Sequence, residues 1–167
     1  MSVAVIEDKL NDGWSRRAIQ SEGEALTLGI EHVESGHVIG DVMLFLRSAQ
    51  HRCGEVGWVL HPSHAGRGLA TEAAHALLHL GFDTFGLHRV VARVDARNVS
   101  SLRLCDRLGM RREAHLMENE WFKGGWSDEI NFALLEEEWS HQHPTTQRTA
   151  LTLESCTFSA APRTEST

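Results

Sequence analysis

The chain has 167 residues, 41% of them hydrophobic, which suits one domain with a core of its own. A formal net charge of −7 argues against nucleic acid as the main partner, and no apolar run is long enough to span a bilayer. Cys53, Cys105 and Cys156 are odd in number and scattered, and no charged-then-apolar signal follows Met1, so a cytoplasmic protein is expected.

Residues 9–20 read as part of a helix anchored by Trp14 and Ile19. Residues 25–32 and 37–47 alternate as paired strands around the Glu34-Ser-Gly36 turn, and residues 54–60 form the next strand. A helix is expected from residue 68 to about 85, because Leu69, Ala73, Ala76, Leu77 and Leu80 recur at helical spacing. Gly86 ends it, and residues 88–95 look like a buried strand through Val90, Val91 and Val94. Asn98 can cap a second helix, Leu104 and Leu108 give it an apolar stripe, and Gly109 suits the left-handed residue past its end. Residues 112–122 and 126–135 close the pattern as two strands joined at Gly124-Gly125. From His141 the chain turns polar, with Pro144 and Pro162, and reads as a disordered tail.

The junction between residues 60 and 73 carries the chemistry. Gly66, Gly68 and Ala70 let backbone N–H groups approach a ligand, and the following helix start adds unpaired donors and a positive dipole end. Such a junction suits a phosphate or pyrophosphate, although a Gly-rich strand-to-helix turn without a ligand gives the same pattern. A P-loop would need Lys and then Ser or Thr after the last Gly, where Leu69 and Ala70 stand. A dinucleotide fingerprint would need Gly or Ala at Thr71 and its first Gly directly after the strand. What fits is a pyrophosphate loop of the form x-x-Gly-x-Gly/Ala opening a long amphipathic helix.

Ala65-Gly66-Arg67-Gly68-Leu69-Ala70-Thr71-Glu72-Ala73 resembles that loop in the GNAT superfamily of acetyl-coenzyme A-dependent N-acetyltransferases. Asn98-Val-Ser-Ser101, continuing to Leu108-Gly109-Met110, resembles the same superfamily's Asn-x-x-Ser helix. Glu120-Trp-Phe-Lys-Gly-Gly-Trp126-Ser-Asp-Glu129 is similar to the closing hairpin of its ribosomal-protein-alanine (RimJ/RimL-like) subgroup. The resemblance spans about residues 25 to 139. It implies an α/β (α+β) fold with a mixed, mostly antiparallel central sheet, splayed middle strands and flanking helices. Residues 1–140 would be the acetyltransferase domain and residues 141–167 the tail.

By the same resemblance, pantetheine lies between strands 54–60 and 88–95, bonding backbone near Trp58, Val59 and Leu60. A backbone N–H there could stabilise the oxyanion, with positioning supplying much of the remaining rate. Amides of Gly66, Arg67, Gly68, Leu69, Ala70 and Thr71 would hold the pyrophosphate, with Asn98 and Ser101 beside the pantetheine. Ala65 departs from the Gln or Arg of many superfamily members, so one side-chain phosphate contact is lost. Glu55 is the candidate general base, directly or through water, against an ordinary solvated strand carboxylate. The chain has no Tyr, the proton donor of many relatives, which leaves Ser101 near the sulfur as candidate acid. Ser101 and Asn98 could equally be helix-cap residues, and Glu72 reads as structural.

Two classes stay open. One is an enzyme acetylating a primary amine, a protein N-terminus or else a small-molecule amine such as an antibiotic or metabolite; a homodimer is compatible with it. The other is a catalytically weak or partner-dependent module that binds coenzyme A, because the superfamily's opening strand and helices, roughly forty residues, are expected to be missing ahead of the paired strands. His75 and His79 are four apart, but no third ligand is placed by the sequence, so no metal is expected. Trp121 and Trp126 either line the acceptor mouth or pack across the hairpin.

Overall fold

A computed structural model describes the backbone of residues 3–6, together with residue 19 and residues 21–143 in full. The expected helix over residues 9–20, Ile19 apart, and the tail from residue 144 lie outside the described residues. Seven strands form one sheet in the order β1-β2-β3-β4-β5-β7-β6. They are β1 (Val3–Ile6), β2 (Ala25–His32), β3 (His37–Ser48), β4 (Cys53–Leu60), β5 (Arg89–Asp95), β6 (Arg111–Phe122) and β7 (Gly125–Leu135). Every pairing is antiparallel except β4 with β5. The edge position, which the sequence reading left outside the chain, is filled by β1: Val3 stands opposite His32.

Alternation explains the sheet's two faces. Leu26, Leu28 and Ile30 of β2, Val42, Leu44 and Leu46 of β3, and Val90, Ala92 and Val94 of β5 are all buried. The residues that alternate with them are not, so one face carries the core. Helix α1 (Leu69–His79) covers that face with Leu69, Ala73, Ala74, Leu77 and Leu78. The helix expected to reach residue 85 instead changes pitch at Leu80–Thr84, one wider turn in which Phe85 N–H reaches Leu80 C=O at 3.0 Å. A Cβ on Gly81 in this turn would stand 3.4 Å from the Leu87 side chain, about ordinary contact. Helix α2 (Val99–Arg107) follows β5 as expected, with Gly109 at φ 71° after it.

A short helix α3 (Glu136–Gln142) was not expected, and it runs past the residue 141 boundary. Trp139 anchors it, buried against Phe82 with its indole N–H donating to Asp83 at 3.1 Å. No helix among the described residues is long and apolar enough to cross a membrane.

Candidate active site

Strands β4 and β5 stay together for three residue pairs only: Cys53 with Arg89, Gly54 with Val90 and Glu55 with Val91. Beyond Glu55, β4 stays on β3 while β5 stays on β7. The two strands part, and a cleft of about 170 Å³ opens between them. Val56, Gly57 and Trp58 form one wall, residues 92–95 the other, and Asn98, the cap of α2, and Ser101 in its first turn line it as well. The expected splay is therefore present, and the backbone edges facing the gap lack a strand partner. Trp58 lines the cleft; Val59, largely exposed, and Leu60 do not.

The α2 end is organised by its cap. Asn98 Oδ1 accepts from the Ser101 amide at 3.1 Å and from the Ser100 hydroxyl at 2.8 Å, so its carboxamide oxygen is committed to the helix. Across the cleft, the Trp58 indole N–H donates to Ser101 Oγ at 3.1 Å. Strand residue and helix hydroxyl are thus bridged over the gap.

The loop leading to α1 has the shape expected of an anion cradle. Gly66 and Gly68 both sit at positive φ, 77° and 82°, where L side chains are strained. The first helical bond runs from Glu72 N–H to Gly68 C=O at 3.0 Å. No backbone carbonyl among the described residues accepts from the amides of residues 66–71. Those donors are open, which fits a pyrophosphate. Arg107, at the end of α2, donates to Thr71 Oγ1 at 3.2 Å and so brings a guanidinium to the same turn. That contact links residues 36 apart and leaves no trace in local sequence.

The charged residues at the cleft are paired. Arg93 and Asp95 were missed as lining residues, although alternation puts both opposite the buried Val90, Ala92 and Val94. Arg93 holds Glu129 with a fork, Nε to Oε1 at 2.9 Å and Nη2 to Oε2 at 2.7 Å, and Glu129 is buried. Arg97, through side chain and amide, and the Ser127 hydroxyl hold the Asp95 carboxyl well below the usual carboxylate range. Glu55 stands at the vertex and does not line the cleft; Arg47 Nε meets its Oε2 at 2.6 Å. Every one of these carboxylates is engaged by an arginine.

Cys105 is fully buried, and burial pushes its thiol up to about 12. His75 shares a hydrogen bond with His143, Nε2 to Nε2 at 2.7 Å, and among the described residues no group of three or more His, Cys, Asp or Glu could hold a metal. Trp121 and Trp126 do pack across the hairpin, ring centroids 5.4 Å apart and edge to face, yet both stay more than half exposed.

A parallel seam that opens into a slot, followed by a Gly-rich turn of open amides, is the arrangement the resemblance to acetyl-coenzyme A-dependent acyltransferases implies. The chain matches the acetyltransferase (GNAT) domain over residues 4–111 and belongs to that family. YnaD, an uncharacterized N-acetyltransferase of Bacillus subtilis, is 37% identical over 108 residues, 62% of this chain and 60% of its own length. The spermidine N(1)-acetyltransferase of Escherichia coli is 27% identical over 143 residues, 85% of this chain and 70% of its own. Among solved structures, a GNAT-family acetyltransferase of Bacillus anthracis superposes with a TM-score of 0.63 at 32% identity, covering 67% of each chain. The match thus spans less than two thirds of YnaD's length.

Proposed function

We propose that the protein is an N-acetyltransferase, moving an acetyl group from acetyl-coenzyme A directly to a primary amine. The parting of β4 from β5 carries this reading, because it leaves unpaired backbone and a slot lined in part by Ser101. The coenzyme supplies an activated acyl thioester; the chain supplies binding and orientation. Open amides of residues 66–71, with Arg107 beside Thr71, would hold the pyrophosphate. Ser101 would face the sulfur. Free Cys53 and Cys105 support a reducing compartment, the cytosol.

The acceptor best supported is a protein or peptide α-amine. Attack needs the neutral amine, and Glu55, Asp95 and Glu129 are all tied to arginines. An α-amine with pKa near 8 is about a tenth neutral at pH 7, whereas an amine near 10.4 is below about one part in a thousand. An α-amine therefore asks least of a weak base, and the hairpin's likeness to the ribosomal-protein-alanine subgroup points the same way. A polyamine acceptor is the second reading, favoured by the spermidine N(1)-acetyltransferase relative.

Two measurements test this. Acetyl-coenzyme A at about 100-fold its Kd should stabilise the fold by about 2.7 kcal/mol, seen as a rise in Tm; no rise removes the reading. Thiol release is then followed with alanine-starting peptides and with spermidine. Faster turnover on peptides is expected, and turnover confined to spermidine would replace the α-amine acceptor with a polyamine.

A further inference from the structure

We infer that Trp58 is a positioning residue for the transfer step, orienting the hydroxyl of Ser101 toward the leaving sulfur; this rests on the acyl-transfer reading above. An indole N–H can only donate, so in the 3.1 Å contact Ser101 Oγ is the acceptor. The hydroxyl's own proton must then point elsewhere. The local acceptor that would otherwise take it, Asn98 Oδ1, already receives the Ser101 amide and the Ser100 hydroxyl. Ser101 carries the one hydroxyl among the described residues that line the cleft. With one lone pair filled from β4 and the helix cap fixing its backbone, its O–H is directed into the gap. A hydroxyl that accepts a hydrogen bond also donates a stronger one.

The step balances as follows. The amine nitrogen forms a bond to the thioester carbonyl carbon, the carbon–sulfur bond breaks, and its electron pair goes to sulfur. Ser101 donates a hydrogen bond to that developing thiolate without giving up its proton. A thiol of pKa near 8.5 takes its proton from water at neutral pH, and the nitrogen's proton leaves to solvent. Trp58 acts only through Ser101.

A double-mutant cycle tests this on the full chain. Trp58→Phe keeps an aromatic ring in the cleft wall and removes the N–H; it should lower kcat roughly 5- to 10-fold, with KM for acetyl-coenzyme A and Tm little changed. Ser101→Ala should lower kcat by at least as much, and adding Trp58→Phe to it should cost nothing further. Trp58→His, which retains a ring N–H, should keep more turnover than Trp58→Phe. An acyl donor whose thiol is more acidic should shrink the loss in both single variants. Independent, multiplying losses, or a loss confined to KM or Tm, would overturn the positioning role while leaving acyl transfer intact. Absence of turnover on every amine would overturn both. If Trp58→Phe fails to fold, an unchanged kcat in Ser101→Ala overturns the proposal alone.

Discussion

Glu113 shows how single charges are used here. Arg89 of β5 grips its carboxylate with both terminal nitrogens, Nη1 to Oε1 at 3.1 Å, and Arg111 adds Nη2 to Oε1 at 2.6 Å. Arg111 also bonds Glu138 of α3, so the network ties β5, β6 and α3 together. The Arg89 hydrogen bonds, followed by those of Arg111, lower the Glu113 pKa to about 2. A carboxylate whose folded pKa lies below its unfolded value adds stability above the unfolded value, near 4.3. That stability is lost as pH falls through about 2. Glu113→Gln should therefore cost on the order of 1–2 kcal/mol at pH 7, after discounting for partial exposure. In urea melts the gap between the two proteins should hold from pH 7 to about 5 and close between about 4.5 and 2. A gap independent of pH would remove the ion pair as its cause.

At the scale of elements, β3 and β4 crowd each other at the far end of β4, where Gly40 stands opposite Leu60. A Cβ on Gly40 would stand 2.2 Å from the Val59 carbonyl oxygen and 3.0 Å from Leu60 Cα, both backbone. Gly40→Ala must push the end of β4 outward and loosen the adjoining bond from His61 N–H to Ile39 C=O, 2.7 Å here. A loss of roughly 2–3 kcal/mol is expected in urea unfolding, in the range of overpacking changes. A loss under about 0.5 kcal/mol, the level of an ordinary surface change, would contradict this approach. Sequence periodicity showed where β2, β4, β5 and α2 lie because each buries one face. It could not show why Gly40 must be glycine, since that depends on a partner strand. The wide turn at Leu80–Thr84 also escaped, because the apolar spacing of Leu77 and Leu80 runs through it unchanged. Strand β6 was legible only in outline: it is an edge with almost every residue exposed, and three residues, 117–119, bulge out between Leu116 and Glu120 around Glu118 at φ 49°. In the site, the glycine loop was readable because its signal is local. Bridges such as Trp58 to Ser101 and Arg107 to Thr71 join distant residues and were not.

The whole molecule is a sheet in two parts, β1 to β4 and β5-β7-β6, joined by a parallel seam of three residue pairs. The core bridges the seam on the helix side, where Leu44, Val56, Leu77 and Val90 are all buried in one cluster. Backbone pairing ends there, however, and Arg52 reinforces the closed end, accepting from His88 N–H at 2.8 Å and donating to Gly86 C=O at 3.0 Å. A molecule closed at one end of a seam and open at the other should exchange amide hydrogens unevenly. Exchange is expected to be slowest where β3 pairs with both neighbours, and faster along residues 56–60 and 66–71, which have fewer backbone partners. An acyl carrier seated as proposed fills the missing strand position and caps the open amides at once. Acetyl-coenzyme A at about 100-fold its Kd should slow exchange in those two segments by roughly 10- to 100-fold. Residues 120–126 at the hairpin tip should not change, because nothing in the proposed pose reaches them. Slowing at the hairpin with none at 66–71 would place the carrier outside the seam. Slowing at 66–71 alone would keep the pyrophosphate cradle but remove the pantetheine from between the strands, and with it the reason for Ser101 to face a sulfur.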